Sequence, residues 1–409
     1  MIPIVLLRLV WRARNNKAYL QRWLERFGMV KKDLPKQGIW IHAISVGEVL
    51  AAVPLIKQLR KTYPHIPLIV TTTTVTGSAR VQALNQEGVS HVYCPYDLPG
   101  AVRRFIKQVQ PRLLILIETE LWPNLIHKCY QQKIPIILAN ARLSAHSYTG
   151  YRRFQVITRP MLQKLDLVLA QAQPDGERFI DLGVDRTRLQ ITGSIKFDLT
   201  IPSHLETDGK VLRAEWGGMR PVLIAASTHA GEEEILLNAF SQLRKQLPEL
   251  VLIIVPRHPE RFDAVAQLCQ QRGFNCIRRS QGVSATPNMD IFIGDTMGEL
   301  LLFYAAADVA FIGGSLAPVG GHNPLEPAAL GIPVITGPHT FNFATIMTQL
   351  QSIEVAVVIE DCESLAIAVL MLLRDVSRLQ VLNSRARLFI EQNRGALAQH
   401  MQWLSHYLS

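Results

Sequence analysis

Three stretches of the chain place ionisable side chains just after apolar runs. The first is "IWIHAISVGEVLAAV", in which Glu48 follows Ser45 by three positions. Ser-x-x-Glu is a capping box, with Ser45 closing the helix end and Glu48 reaching back to the Ser45 amide. It is also a carboxylate at the carboxyl end of a strand, where open α/β sheets bind ligands. An ionised Glu48 there can serve as general base for a hydroxyl. The second stretch is "RLLILIETELWPN", where Glu118 and Glu120 follow an apolar run at 113–117. These acids either sit in solvent and favour the start of the next helix, or act at the ligand end of the sheet. Neighbouring carboxylates raise one another's pKa and a helix N-terminus lowers it, so the balance at Glu48 stays open. The third is "LQITGSIKFD", with Lys196 near a break in the pattern. A cation there can stabilise a phosphate leaving group or an anionic donor; the plain alternative is a solvated surface lysine.

The second half reads as a nucleotide holder. "VLIIVPRHPERF" puts Pro256 and Arg257 at a strand end, and Arg can fork onto a phosphate or stack on a base. "GDTMGELLLF" gives a loop at 295–298 that opens a helix. "GGSLAPVGGHNPLEPAALGIPVITGP" places two Gly pairs before a helix expected to begin near Asn323, with Pro324 in its first turn. Its free amides and dipole would receive a phosphate, and Glu326 would reach a ribose hydroxyl pair. The alternative for the glycines is tight turning and helix–sheet packing. There is no G-x-x-x-x-G-K-[ST] and no G-x-G-x-x-G after the first strand, which argues against a P-loop ATPase and a dinucleotide dehydrogenase.

These groups are positioned by a regular rhythm. Strands are expected at 39–43, 68–73, 91–93, 113–117, 134–139 and 167–170, with helices at 49–61, 76–85, 101–109, 121–131 and 174–182. The rhythm breaks at the polar stretch 197–210, read as a linker, and restarts with strands at 221–225, 251–255, 290–293, 309–312, 333–336 and 355–358. Helices follow from Ser364. Such alternation implies right-handed βαβ units and parallel sheets. The fold class is α/β, as two Rossmann-like domains, with a cleft between them as the natural substrate site.

A chain of 409 residues, 48% hydrophobic and 19% charged, is long enough for two cores and excludes disorder. Its five scattered cysteines form no C-x-x-C pair, so neither a disulfide framework nor a zinc site is suggested, and a reducing compartment fits best. The net charge is +10, concentrated early: Arg8, Arg12, Arg14, Lys17, Arg22, Arg26, Lys31 and Lys32 face only Glu25 before Asp33. The leading "MIPIVLLRLVW" is far short of the roughly 20 residues that span a bilayer, and it lacks a small-residue cleavage site. Apolar residues mixed with Arg, Trp11 and Trp23 suit a segment lying on an anionic membrane surface; the alternative is a basic helix packed on the protein. Nothing resembles a nucleic-acid-binding motif.

Taken together and in order, "HAISVGEV", "IETELWPN", "ANARLS", "GSIKFD", "VPRHPERF", "DTMGEL" and "GGSLAPVGGHNPLEPAALGIPVITGP" closely resemble the 3-deoxy-D-manno-octulosonic acid (Kdo) transferases, enzymes of lipopolysaccharide synthesis at the bacterial inner membrane. The resemblance spans nearly the whole chain. It implies a GT-B-like fold with two Rossmann-like domains facing each other across a cleft. The expected division is a basic membrane-associating segment at 1–32, an acceptor domain at 33–200 and a CMP-sugar domain at 201–409, with the last helices packing back on the acceptor domain. It implies CMP-Kdo as donor, the tetra-acylated lipid A precursor (lipid IVA) as acceptor, no metal and no other cofactor. Carried over by motif, Glu48 resembles the catalytic base, and Glu118 and Lys196 the transition-state stabilisers. CMP contacts would fall on Pro256, Arg257, Met297, Gly298, Glu299, Asn323, Pro324, Leu325 and Glu326. The N-terminus departs from the family, whose apolar anchor is usually longer. Peripheral attachment to the cytoplasmic face of the membrane and a chain start set late both stay open. Two rivals are a sugar-nucleotide 2-epimerase, which has no use for the basic segment, and a non-catalytic lipid or nucleotide binder, which does not need Glu48.

Overall fold

Runs with no polar residue become strands buried on both faces, because a parallel sheet is covered by helices on each side. The computed structural model describes residues 21–31, 33–84, 88–282 and 288–408. The chain forms two units: one extends to Asp198 and includes the chain end from Asn393, the other is Leu199–Gln392.

The first unit holds seven parallel strands: β1 (Ile39–His42), β2 (Leu68–Thr72), β3 (Val89–Tyr93), β4 (Leu113–Ile117), β5 (Ile136–Ala141), β6 (Leu167–Ala170) and β7 (Leu189–Ile191), in the order β3-β2-β1-β4-β5-β6-β7. Side chains alternate between faces. In β4, Leu114 and Leu116 join Trp40, Phe105 and Leu138 on one face, while Leu113, Ile115 and Ile117 join Ile41, Val49 and Leu55 on the other. Strand order reverses between β1 and β4. Their connections leave in opposite directions and open a crevice at the carboxyl ends.

The second unit repeats the plan with β8 (Val222–Thr228), β9 (Val251–Pro256), β10 (Cys276–Arg278), β11 (Ile291–Ile293), β12 (Val309–Ile312), β13 (Val334–Thr336) and β14 (Ala356–Val358). Their order is β10-β11-β9-β8-β12-β13-β14, again parallel, with the reversal between β8 and β12.

Several expected boundaries move for identifiable reasons. β5 starts at Ile136 rather than 134, because the Ile134 amide closes the preceding helix by donating to Cys129 O at 3.0 Å and Pro135 has no amide to give. The polar stretch at 197–210 is not wholly a linker: Leu205–Glu215 is a helix that buries Leu205, Gly209 and Leu212. Its apolar positions are few but fall on one face, and Gly209 lets the backbone approach Ala305, where a Cβ would stand 2.7 Å from its carbonyl oxygen. Two helices not anticipated, Ala145–Arg153 and Gln155–Leu162, lie between β5 and β6.

The basic N-terminal stretch lies outside the described residues ahead of residue 21, as does Lys32. Two of its arginines are described, and both are tied to the folded unit. Arg26 is buried over the Tyr93 ring at 4.3 Å and donates to Thr73 O at 3.0 Å. Arg22 pairs with Glu25 and donates to His91 O at 2.7 Å. Among the described residues, no helix is long and apolar enough to cross a membrane.

The chain end is fixed to the first unit by polar contacts. Asp198 accepts from the amides of Gly395 at 2.7 Å and Leu397 at 2.6 Å, at the start of the Ala396–Leu408 helix. His400 is buried in that helix, and burial lowers its pKa to about 4. Its Nε2 accepts from the Asn140 amide at 3.0 Å, so the ring proton is on Nδ1, which donates to Ala396 O at 2.7 Å. Asp198→Ala leaves two helix-end amides unpaired. It is expected to lower stability by about 1–2 kcal/mol in denaturant unfolding and to speed hydrogen exchange in the final helix selectively.

Candidate active site

The crevice of the first unit is flanked by the residues that follow β1 and β4. After β1 the chain turns at Ser45, whose extended backbone and hydroxyl cap the Val46–Thr62 helix by accepting from the Glu48 amide at 3.2 Å. Glu48 completes a reciprocal arrangement, but not with the Ser45 amide. Its carboxylate accepts from the Ile44 amide at 2.7 Å and from the Ser45 hydroxyl at 2.6 Å. Ile44 has left the strand ladder, so its amide is the donor in need of a partner. The carboxyl pKa is raised to about 7, first by burial, then by the negative field of Glu120, with Glu118 adding a smaller push. The two hydrogen bonds oppose this and lose.

Glu118 follows β4 with φ +58°, a left-handed backbone that a non-glycine residue adopts at a cost. That turn keeps its amide on Ala139 O at 3.1 Å and places its carboxylate 2.8 Å from Lys196 Nζ. Lys196 is therefore not a freely solvated lysine. It sits in a single 3₁₀ turn, Ile195–Phe197, whose Ile195 amide donates to Asn140 Oδ1 at 3.1 Å. Asn140, at the end of β5, also has positive φ, +52°. Glu120 accepts from the Trp122 indole at 2.8 Å, and burial raises its pKa. Glu48, Glu118, Glu120 and Lys196 thus come together at one end of one sheet.

In the second unit the expected donor residues follow β9, β11 and β12, on the carboxyl edge of the sheet. Pro256 ends β9, and the exposed Arg257 anchors its amide on Thr228 O at 3.0 Å. Met297 is 71% exposed and Gly298 has φ +90°. Glu299 is already paired with Arg279 at 2.7 Å and accepts from the Thr296 hydroxyl. The helix expected near Asn323 begins later, at Leu325, and lasts five residues to Ala329. The cause is Asn323 itself: its side chain accepts from the Leu325 amide at 3.1 Å and donates to Glu326 Oε1 at 3.1 Å, which closes the turn as a side-chain cap. A helix this short carries little dipole.

The first Gly pair does not present free amides. Glu232, buried after β8, accepts from the amides of His229 at 2.9 Å, Gly314 at 2.8 Å, Ser315 at 3.0 Å and Leu316 at 3.0 Å. Gly313 is required for the approach, since a Cβ there would stand 2.4 Å from Ser227 O. Beside this nest, His229 and His322 stack with Nε2 atoms 2.9 Å apart, and His258 lies edge-on to His229. Burial lowers both stacked rings, His322 to about 4, and Arg257 pushes in the same direction. One ring therefore donates and the other accepts. His229, Glu232 and His322 were not singled out from the sequence. The signal was "STHAGEEE", which stands after β8 as "SVGE" stands after β1. Among the described residues, no group of three His, Cys, Asp or Glu side chains is arranged to hold a metal ion.

Comparison with known proteins separates the two enzyme classes. Among solved structures, a glycosyltransferase from Rickettsia africae superposes with a TM-score of 0.55 at 14% identity, covering 91% of this chain and 99% of that one. The UDP-GlcNAc 2-epimerase of Neisseria meningitidis does so with a TM-score of 0.53 at 12% identity, covering 85% and 94%. At these identities the likeness establishes the GT-B-like α/β fold alone. The sequence relatives discriminate. The family described as 3-deoxy-D-manno-octulosonic-acid transferase (kdotransferase) matches residues 21–199. The 3-deoxy-D-manno-octulosonic acid transferase of Haemophilus influenzae is 44% identical over 99% of this chain and 96% of its own length. That of Bordetella pertussis is 37% identical over 90% and 87%. With its motifs in order and relatives matched end to end, this chain belongs to the 3-deoxy-D-manno-octulosonic acid transferase family of glycosyltransferases.

Proposed function

We propose that the protein transfers Kdo from CMP-Kdo to the tetra-acylated lipid A precursor, in lipopolysaccharide synthesis at the cytoplasmic face of the inner membrane. The observation that carries the reading is Glu48: a half-buried carboxyl on the ligand side of the sheet, with its pKa raised to about 7 beside a Glu118–Lys196 ion pair. A base poised near neutrality accepts a proton readily and is ionised often enough to do so.

In this reading Glu48 takes the proton of an acceptor sugar hydroxyl. The oxygen attacks the anomeric carbon of Kdo, the bond from that carbon to the phosphate oxygen breaks, and CMP leaves with the electron pair. The result is inversion through an oxocarbenium-like transition state. Glu118 supplies negative charge near the developing cation. Lys196 holds Glu118 in place and offsets negative charge in the substrates. Pro256, Arg257, Met297, Gly298, Glu299, Asn323, Pro324, Leu325 and Glu326 would hold CMP. Arg257 is the phosphate or base contact; Glu299 would have to share its carboxylate with Arg279. The nest filled by Glu232 shapes the Gly loop rather than binding phosphate. The basic segment at 1–32 would meet the membrane, with the exposed Trp23 and Leu24 among its described residues.

The direct test is transfer to the lipid A precursor with CMP-Kdo generated in situ, with products read by mass spectrometry. Wild type should add Kdo. Glu48→Gln should lose about 10²–10⁴-fold in kcat while CMP still binds by calorimetry; a fully active Glu48→Gln would remove Glu48 from the role. A wild type that binds CMP and leaves the lipid unchanged would sink the acceptor assignment. Because the base must be ionised, kcat/KM should fall as pH drops below about 7, following the Glu48 pKa. Glu120→Gln removes a negative neighbour, so this acid limb should move to lower pH. Lys196→Met should reduce kcat by about 10²–10³-fold with little change in CMP affinity.

A further inference from the structure

The Ala145–Arg153 helix buries no residue completely. A nine-residue helix is marginal by itself, and most helical stability in proteins comes from packing one face. Here only Tyr148 and Tyr151 lean on the core. The outer side continues into the next helix as six consecutive exposed residues, Arg152, Arg153, Phe154, Gln155, Val156 and Ile157. Phe154 is 64%, Val156 90% and Ile157 60% exposed, so three large apolar side chains within four residues are left to solvent. Such a cluster marks an interaction surface more often than it marks ordinary scatter.

The charge around it selects the partner. From Arg142 through Leu165 the chain carries Arg142, Arg152, Arg153, Arg159 and Lys164 and no Asp or Glu. The acids that face this stretch from other elements are Asp181, held by the Tyr148 hydroxyl at 2.6 Å, Glu120 near Tyr151, and Asp175 near Arg142. Apolar side chains amid cations, with tyrosines at the boundary, match the chemistry of an anionic bilayer surface. The face also lies beside the carboxylate cluster: Thr119 donates to Arg142 O, and Tyr151 is close enough to Glu120 for its field to help burial raise the phenol pKa.

We propose that the outer side of the Ala145–Arg153 helix and the start of the Gln155–Leu162 helix dock on an anionic lipid bilayer, with Phe154, Val156 and Ile157 entering the headgroup region and Arg152 and Arg153 meeting lipid phosphates. The proposal rests on the lipid-acceptor reading and deepens it: it adds a bilayer contact in the folded first unit, beside the proposed catalytic carboxylates.

The test compares full-length wild type with Val156→Asp/Ile157→Asp and with Arg152→Glu/Arg153→Glu. Binding is measured by sedimentation with phosphatidylethanolamine vesicles containing about one third phosphatidylglycerol, and with neutral phosphatidylcholine vesicles. None of the four side chains is buried, so thermal melts should match wild type. The apolar pair should lower partitioning to anionic vesicles by about tenfold or more, and the arginine pair should lower it on anionic vesicles while leaving neutral ones unchanged. Transfer to acceptor dispersed in detergent should persist in both variants. Unchanged vesicle binding by both variants would overturn the proposal. So would an apolar pair that instead dissociates a lipid-free dimer by light scattering, since a second copy would then be the occupant. Wild type that binds vesicles but transfers no Kdo would sink the acceptor reading while leaving the docking face intact.

Discussion

A parallel strand buried on both faces must end its hydrogen-bond ladder somewhere, and its last amides need acceptors. Where strand order reverses, the connections diverge and no neighbouring loop covers the gap. Both units meet this constraint with a carboxylate early in the helix that follows their central strand. Glu232 is surrounded by amides from its own turn and from the loop after β12, and it acts as an internal anion that shapes that loop. Glu48 receives one amide and one hydroxyl and has two acidic neighbours. The same device is saturated in one unit and under-satisfied in the other, and the under-satisfied copy is the one with chemical potential.

The difference has an energetic side. Raising Glu48 from 4.5 to about 7 corresponds to about 3 kcal/mol of penalty on the charged form. A carboxyl whose folded pKa lies above its unfolded value favours folding when protonated, and that advantage is lost as pH rises through the folded pKa. Near and above neutrality the folded protein therefore carries an unfavourable charge at Glu48. The left-handed backbone of Glu118 and Asn140 adds strain at adjacent strand ends. Deep apolar packing on both sheet faces and the closing of the first unit by its C-terminal helix offset these costs.

Much of the fold was legible because its strands are apolar and short. The run at 113–117 could be little else, and β6 and β12 fall where the pattern put them. Three-residue edge strands such as β10, part-exposed throughout, lack that signal. The Leu205–Glu215 helix was hidden because three buried positions in a polar stretch do not stand out as a period. The Ala145–Arg153 helix buries nothing, so it had no apolar stripe to read. At the site, residue types were legible and their balance was not. That Glu48 and Glu118 flank one crevice follows from strand order, which the sequence does not state. The sign of the Glu48 shift depends on burial and on Glu120, neither of which has a one-dimensional signature. That Arg22 and Arg26 both pack over Tyr93 had no signal either, because Tyr93 lies far along the chain.

The route of the chain has a further consequence. The amide of Asn140 is satisfied by His400, and the helix carrying His400 is capped by Asp198, while Leu199–Gln392 forms a separate unit in between. A chain made from its amino end must therefore synthesise the whole second unit before the first can close. On the ribosome, the strand end that holds the Lys196 turn waits for roughly 200 more residues, ten or more seconds at ordinary elongation rates. The proposed catalytic cluster is thus among the last parts of the protein to form, and a truncated chain, however well its first sheet assembles, lacks the piece that sets that cluster in place.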